Sequence, residues 1–164
     1  MSREKVLREQ DDFLFPCVAN YYEEPIVITE AKGSVVKDID GGEYLDFFGG
    51  ILTVSLGHCQ DEITEAVSSQ MKKLGHVSTL YPTENQLMVA KQLAELSPGA
   101  LKKSFFTNSG TEADETAVLL ARIHTGNQEI IALRHGYSGR SQLAMNLTAH
   151  SGYRLSGSSI PNIK

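Results

Sequence analysis

The chain has 164 residues, 41% of them hydrophobic and 21% charged, as in an ordinary soluble globular protein that buries one core. Its formal net charge of −5, without any basic run, argues against nucleic acid or an anionic membrane surface as a partner and favours a small molecule. No apolar stretch approaches the roughly 20 residues that a membrane-spanning helix requires, so no membrane span is expected.

The amino terminus and the cysteines indicate a cytoplasmic protein. The first twelve residues, MSREKVLREQDD, are charged throughout and do not read as a secretory signal. Cys17 and Cys59 lie far apart, with no further cysteine near either of them. We therefore expect two reduced thiols rather than a disulfide, as is usual in the cytoplasm.

The amino-terminal third of the chain predicts a short helix followed by strands. The first dozen residues suit a surface helix or arm, and Pro16 prevents a continuous helix in the apolar segment FLFPCVANYY that follows. β-Branched and aromatic residues then flank Asp40-Gly41-Gly42, a strong hairpin signal because glycine accepts a positive φ without strain. The pattern predicts three strands, near residues 26–30, 34–39 and 43–47.

From about residue 60 the apolar residues recur at helical spacing. The first helix is expected to start with Asp61 as N-cap, and its apolar stripe is formed by Ile63, Ala66, Val67, Met71 and Leu74. A second helix begins with the capping-box pattern at Thr83. A third runs from Ser109 to about Gly126, where glycine is suited to a helix C-cap.

Short strands are expected between and after these helices. The first is SFFTN at 104–108, and the second, expected to be buried, is EIIALR at 129–134. Residues 142–147 form a weaker apolar segment. Strands that alternate with helices predict right-handed crossovers and a parallel sheet, so the expected architecture is α/β. The hairpin segment, residues 1–57, would form a small lobe, and residues 58–164 the first part of the α/β domain.

The stretch FFTNSGTEADETAVLLAR, residues 105–122, combines a strand, a polar turn with a glycine and a helix. The first N–H groups of a helix lack internal partners and carry the positive end of its dipole, so Gly110 and Thr111 can offer amides to a phosphate. The hydroxyls of Ser109 and Thr111 could add further bonds. Ser109 and Glu112 equally satisfy a capping box that needs no ligand, and spacing alone favours that interpretation without deciding the matter.

A P-loop for nucleotides is a third interpretation of the same strand, turn and helix. It requires lysine after the glycine and then serine or threonine. Gly110-Thr111-Glu112 has a carboxylate where that lysine should be, which argues against a nucleotide enzyme.

Three stretches together resemble the class III aminotransferases, a branch of the fold type I pyridoxal-phosphate enzymes. They are residues 105–122, GGILTVSLGHC at 49–59, and LRHGYSGRS at 133–141. The likeness extends in collinear order over about residues 20–150 and includes the hairpin with its Asp-Gly-Gly turn. It implies an α/β fold in which an amino-terminal β-hairpin lobe (1–57) precedes the incomplete start of a fold type I PLP-transferase large domain (58–164).

The resemblance implies pyridoxal 5′-phosphate (PLP) as the cofactor. Ser109, Gly110 and Thr111 would then hold its phosphate, and Tyr137 would stack on its ring, since an electron-poor pyridine prefers an aromatic face. From the residues alone, Tyr137 is equally a surface turn residue between two glycines. Many relatives have histidine where this chain has Ser138, which leaves any role for that side chain open.

Ile51 and Tyr81 are weaker candidates for lining the substrate pocket, by the resemblance of their surroundings. For Ile51, core packing is the favoured interpretation. His58 follows Gly57 and is interpreted as a structural hydrogen bonder rather than an acid or base. The other histidines have no carboxylate or cysteine partners at ligand spacing, so we expect no metal site.

The resemblance also shows what the sequence lacks. PLP enzymes need a lysine that forms a Schiff base with the cofactor and an acidic residue that keeps the pyridine nitrogen protonated. No lysine of this chain lies in a matching context, so we assign no catalytic residue and expect the isolated chain to be inactive.

The implied activity of the longer protein is transfer of an amino group from an amino acid or amine donor to a keto acid or aldehyde acceptor. A homodimer is expected because fold type I active sites form between two subunits. Aminomutases, decarboxylases and racemases share the same fold, so the reaction type stays open. A non-catalytic module that binds a phosphorylated ligand or a partner subunit is the remaining alternative.

Overall fold

The computed structural model describes residues 1–17, 20–155 and 159–164. They form two compact units, Met1–Tyr81 and Pro82–Lys164. The predicted division after residue 57 concerns the lobes of a larger fold and remains a prediction. Val18 and Ala19, which belong to the predicted apolar segment, lie outside the described residues. Within the described ranges no helix is both long and apolar enough to cross a bilayer.

The amino-terminal helix is confirmed. Helix α1 spans Arg3–Phe13, and the hydroxyl of Ser2 caps it by accepting the Lys5 N–H at 3.3 Å. The chain becomes extended at Leu14. Because Pro16 lacks an N–H and restricts the residue before it, the helix ends ahead of the proline, as the sequence predicts.

Three antiparallel strands follow, in the order β1-β2-β3, within a few residues of the predicted positions. Strand β1 is Ile28–Lys32, β2 is Val35–Asp38 and β3 is Glu43–Leu45. Lys32 pairs with Val35, which leaves a two-residue turn at Gly33 and Ser34, and Val36 pairs with Tyr44.

The β2–β3 turn is organised by the side chain of Asp38. Its carboxylate accepts the N–H groups of Asp40 and Gly42 at 3.0 and 2.7 Å and the hydroxyl of Tyr44 at 2.7 Å. Gly41 adopts φ +88°, the conformation for which glycine was expected here. The Tyr44 hydroxyl, followed by the Gly42 amide, lowers the pKa of Asp38.

Two helices follow the sheet in the Met1–Tyr81 unit. A single turn, α2, spans Gly49–Leu52, and helix α3 spans Asp61–Lys73. The N-cap of α3 is Gln60, so the prediction of Asp61 was wrong by one residue. The Asp61 carboxylate instead accepts the Lys32 ammonium at 2.5 Å, and the same ammonium donates to the Cys59 carbonyl at 2.7 Å, which ties the sheet to the start of α3.

The predicted helices of the Pro82–Lys164 unit are present. Helix α4 spans Glu84–Leu96 and α5 spans Gly110–Thr125. The N-cap of α4 is Thr83, but its side chain makes no capping bond, so that capping box does not form. Gly126 ends α5 in the left-handed conformation, φ +73°, and its N–H donates to the Arg122 carbonyl at 2.9 Å, as predicted.

The two short strands predicted in this unit are not formed. Residues 104–108 pair with no other described segment, and Phe105 is 76% exposed. In the 129–134 segment, Ile130 makes one parallel bridge to Ile163, while Ile131 is 87% exposed. A strand requires hydrogen-bonded neighbours on its edges and packing on its faces, and the described residues supply only one partner segment.

The core of this unit lies between α5 and a further helix, α6, at Gln142–Leu147, where the sequence shows only a weak apolar segment. A short 3₁₀ turn follows at Ser151–Tyr153. The side chains that lose most of their exposure are grouped at α6 and on the facing side of α5, namely Val118, Ala144, Asn146, Leu147 and Thr148. This pair of helices fixes the loop between residues 136 and 141.

The pKa of Asp38 gives a pH test of the hairpin. A folded-state pKa below the usual value means that the carboxylate stabilises the fold above that usual value and ceases to do so as pH falls through the folded-state pKa. We expect Asp38→Asn to lower the urea midpoint at pH 7, and its difference from wild type to shrink in acid. The midpoint is read by NMR at the β2 and β3 amides.

Asp40→Asn is the matched control, because the exposed carboxylate of Asp40 accepts no hydrogen bond in the turn. If the urea midpoints of Asp38→Asn and wild type differed by the same amount at every pH, the stabilising role of the Asp38 carboxylate would be contradicted.

Candidate cofactor site

The start of α5 is capped by its own side chains. Ser109 is extended, and its hydroxyl accepts the Glu112 N–H at 3.2 Å. The Glu112 carboxylate in turn accepts the Asn108 N–H at 2.6 Å. The capping interpretation of Ser109 and Glu112 is therefore correct for the conformation of this turn.

The cap leaves two amides available for an anion. Of the first four N–H groups of the helix, that of Glu112 donates to the Ser109 hydroxyl and that of Ala113 to the Ser109 carbonyl. The N–H groups of Gly110 and Thr111 have no hydrogen-bond partner among the described residues. A methyl group placed on Gly110 would meet no atom within 4 Å. The two amides thus lack a partner among the described residues at the positive end of a 16-residue helix, and Gly110 is exposed.

The loop at residues 136–141 lies directly against this helix. A Cβ on Gly139 would fall 2.0 Å from the Thr111 hydroxyl oxygen, and Gly139 has φ +124°, so both space and backbone conformation require glycine. The Arg140 N–H donates to the same hydroxyl oxygen at 3.3 Å. One turn further along α5, the Glu115 carboxylate accepts the Ser141 hydroxyl at 2.5 Å.

Tyr137 lies on this loop, two residues before the contact with Thr111. Its side chain is 54% exposed, and its ring meets the edge of Tyr153 with centroids 5.4 Å apart and planes at 79°. The structure therefore brings the loop of Tyr137 to the turn that contains Ser109, Gly110 and Thr111. The assignment of these four residues to a cofactor remains a prediction.

The arrangement suits a phosphorylated aromatic cofactor such as PLP. Two unpartnered amides, open space at Gly110 and a Thr111 hydroxyl proton match a phosphate group, and an exposed ring on the adjoining loop matches a planar heterocycle. Two lysines of this unit are engaged elsewhere, Lys91 with Glu95 at 3.9 Å and Lys164 with Glu129 at 2.6 Å. The donor set fits the phosphate and the ring.

Ile51 and Tyr81 belong to the other unit, Met1–Tyr81, so their predicted role in a substrate pocket stays a prediction. Ile51 is 72% exposed and is not packed in a core. It lies in α2, where φ is between +56° and +64° at Gly49, Gly50, Ile51 and Leu52. A left-handed turn costs about 1–2 kcal/mol for each residue that has a Cβ.

A side chain that the sequence analysis missed supports this turn. Asp46 accepts the N–H groups of Phe48 and Gly49 at 2.8 and 2.9 Å, and its other oxygen lies 2.6 Å from the His58 Nε2. The hydrogen bond from His58, ahead of the two amides, lowers the pKa of Asp46. His58 also pairs through its backbone with Gly33, consistent with the structural role predicted for it.

Thr148 was missed as well. Its hydroxyl accepts the Ser138 N–H at 3.0 Å and donates to the Ala144 carbonyl at 2.9 Å, while the Ala149 N–H donates to the Gly136 carbonyl at 3.1 Å. Both neighbours of Tyr137 are thereby attached to residues 148–149. No spacing pattern in the sequence signals this, because the contact joins residues ten apart across a helix.

Comparison with known proteins identifies the relatives of the chain. The family model described as aminotransferase class-III matches residues 17–164. The mitochondrial alanine–glyoxylate aminotransferase 2 homolog 2 of Arabidopsis thaliana is 39% identical over 150 residues, which are 92% of this chain and 31% of the relative. The acetylornithine aminotransferase of Methanosarcina mazei is 42% identical over 134 residues, 82% of this chain and 33% of the relative.

A solved structure agrees in fold. The taurine:2-oxoglutarate aminotransferase of Bifidobacterium kashiwanohense, in complex with PLP and glutamate, superposes with a TM-score of 0.85 at 25% identity, covering 99% of this chain and 37% of its own. The predicted α/β fold class, a partial fold type I domain, is confirmed by this match. The chain spans about a third of the length of the curated relatives it matches.

The contact between Gly139 and Thr111 can be tested by substitution. We expect Gly139→Ala to displace the loop from α5, because the methyl group would overlap Thr111 as well as strain the backbone, and to cost about 1–3 kcal/mol. Gly126→Ala is the matched control, since Gly126 also has a positive φ but has no atom within 4 Å of an added Cβ. The measurements are thermal unfolding and the NMR shifts of Thr111 and Arg140.

Gly126→Ala should leave those shifts in place. Equal changes of the Thr111 and Arg140 NMR shifts in the two variants would show that the close approach of Gly139 to Thr111 does not position the loop.

Proposed function

The chain belongs to the aminotransferase class-III family, and we propose that it supplies the PLP-binding part of an aminotransferase. The observation that carries the proposal is the pair of amides at Gly110 and Thr111, which have no hydrogen-bond partner among the described residues and lie beside the loop of Tyr137. The remaining catalytic groups would come from sequence beyond this third of the protein.

The start of α5 would hold the phosphate. A phosphate dianion accepts the N–H groups of Gly110 and Thr111 at the positive end of the helix dipole, and hydrogen bonds to a charged group stabilise by about 1.5–3 kcal/mol. Ser109 and Thr111 each accept a backbone N–H through their hydroxyl oxygens. Their hydroxyl protons are therefore still able to donate to the same phosphate.

Tyr137 would hold the plane of the cofactor ring. Its side chain is about half exposed, and its edge contact with Tyr153 restricts rotation of the ring. A rigid aromatic face orders a planar heterocycle at little entropic cost.

When bound, PLP supplies an electron sink for chemistry at the carbon next to an amino group. The protein as a whole would transfer an amino group from an amino acid or amine donor to a keto acid or aldehyde acceptor. In support of this reaction, the relatives named above are aminotransferases of alanine and glyoxylate and of acetylornithine. Because these substrates differ, the donor and acceptor depend on pocket residues, for which Ile51 and Tyr81 are our candidates.

We also propose a homodimer and a cytoplasmic location for the whole protein. The homodimer follows from the family resemblance, in which the active site forms between subunits. The cytoplasmic location rests on the separated cysteines.

Gly110→Pro tests the phosphate site directly. Proline suits the first position of a helix, Ser109 already has the extended conformation that precedes a proline, and the change removes one amide donor. We expect the affinity of the full-length apoenzyme for PLP to fall about 10- to 100-fold. The measurement is an absorbance titration with PLP, accompanied by thermal unfolding.

Glu84→Pro is the matched control, since Glu84 holds the same first position in α4 behind an extended Thr83. It should bind PLP as the wild type does. Unchanged affinity in Gly110→Pro would remove the Gly110 amide from the proposed site.

A second test addresses the missing lysine. We expect borohydride treatment of the 164-residue chain with PLP to leave no stoichiometric adduct on any single lysine, because none lies in a matching context. The longer protein should acquire one. Intact mass and peptide mapping give the answer, and a specific adduct on one of residues 1–164 would show that the chain contains its own catalytic lysine.

A further inference from the structure

Resting on the function proposed above, we infer that Thr148 is a positioning residue that sets the orientation of the Tyr137 ring against the cofactor. Thr148 is 0% exposed and contacts the loop through its hydroxyl. A threonine is uncommon as the largest fully buried side chain, which it is among the described residues. It does not belong to the phosphate-binding turn.

The hydroxyl of Thr148 is fixed in one orientation by two hydrogen bonds. It donates to the Ala144 carbonyl at 2.9 Å, one turn back in α6, so its lone pairs face away from that carbonyl. It then accepts the Ser138 N–H at 3.0 Å. The hydroxyl thus acts as donor and acceptor at once, and rotating it to donate elsewhere would break the bond to the Ala144 carbonyl.

These bonds restrict the backbone on both sides of Tyr137. Ser138, the residue after it, is held by the Thr148 hydroxyl, and Gly136, the residue before it, is held by the Ala149 N–H. The direction of the Cα–Cβ bond of Tyr137 is set by those two flanking peptide groups. Thr148 and Ala149 are consecutive, so one short segment holds the backbone on both sides of the ring.

The other contacts of the loop act further along it. Thr111 meets Gly139 and Arg140, and Glu115 accepts the Ser141 hydroxyl. Loss of the Thr148 hydroxyl would therefore leave residues 139–141 attached to α5 and Gly136 attached to Ala149, while residues 137–138 gain freedom. The phosphate turn would be unaffected, and the ring would lose its preferred plane.

The experiment is a double-mutant cycle in the full-length holoenzyme. Thr148→Val keeps the shape and removes the hydroxyl, Thr148→Ser keeps the hydroxyl, and Tyr137→Ala removes the ring. The readouts are the PLP dissociation constant, the visible circular dichroism per bound PLP and the thermal midpoint of the apoenzyme. A role confined to the fold would change only the last of these.

We expect Thr148→Val to weaken PLP binding about tenfold and to reduce the dichroism, whereas Thr148→Ser resembles the wild type in both. In the Tyr137→Ala background, Thr148→Val should have no further effect on binding, because the group through which it acts is gone. Thr148→Ala removes the same hydroxyl and replaces Thr148→Val in the cycle if the latter does not fold.

Equal losses from Thr148→Val with and without the Tyr137 ring would overturn the inference and leave the proposed function intact. The inference is also overturned if Thr148→Ser weakens PLP binding as much as Thr148→Val does. A wild-type protein that binds no PLP would overturn the proposed function itself.

Discussion

The contact between Thr111 and the loop at residues 139–140 is the constraint on which the Pro82–Lys164 unit depends. Gly139 has no side chain, and only for that reason can its backbone lie against the first turn of α5. The contact places an aromatic loop beside the open amides of a helix start, and it fixes where α6 begins, since Ser141 caps that helix and also donates to Glu115. A larger residue at position 139 would push both the aromatic loop and the start of α6 away from α5.

At the start of α5, the helix cap that the structure forms is compatible with the anion site that we propose for the same four residues. The sequence presented them as alternatives, with Ser109 and Glu112 satisfying a capping box and Gly110 and Thr111 offering amides. In the structure the cap is formed, and it uses the Glu112 amide and leaves the two earlier ones. The cap orders the turn before a ligand arrives, which reduces the entropy lost on binding.

Local signals in the sequence predicted the helices well and the strands only in part. Ser109 and Gly126 act at the ends of α5 as predicted, since a single side chain or a single φ angle decides the boundary there. The hairpin at Asp40-Gly41-Gly42 is equally local. The segment at 104–108 did not become a strand, because strand formation depends on partners distant in the sequence.

The candidate site divides in the same way. The turn at 109–111 and the ring at 137 were predicted from their motifs and the family resemblance and remain predictions, whereas Asp46 and Thr148 were not predicted. Both act through hydrogen bonds to backbone groups, and any short polar residue could make these bonds if the fold brought it there. The role of Thr148 becomes visible only when α6 and the 136–141 loop are placed together, and that of Asp46 only when the turn at Gly49 and His58 are placed beside it. No residue spacing specifies either contact.

The left-handed turn at Gly49–Leu52 reverses a common rule of protein engineering. Replacing glycine with alanine stabilises a protein where the backbone conformation suits alanine, because the change limits the unfolded chain. Here it is Ile51 and Leu52 that occupy a conformation natural to glycine. Stabilising variants of this segment would therefore be sought by moving from isoleucine towards glycine or asparagine. A library built only from larger or more apolar residues would miss them.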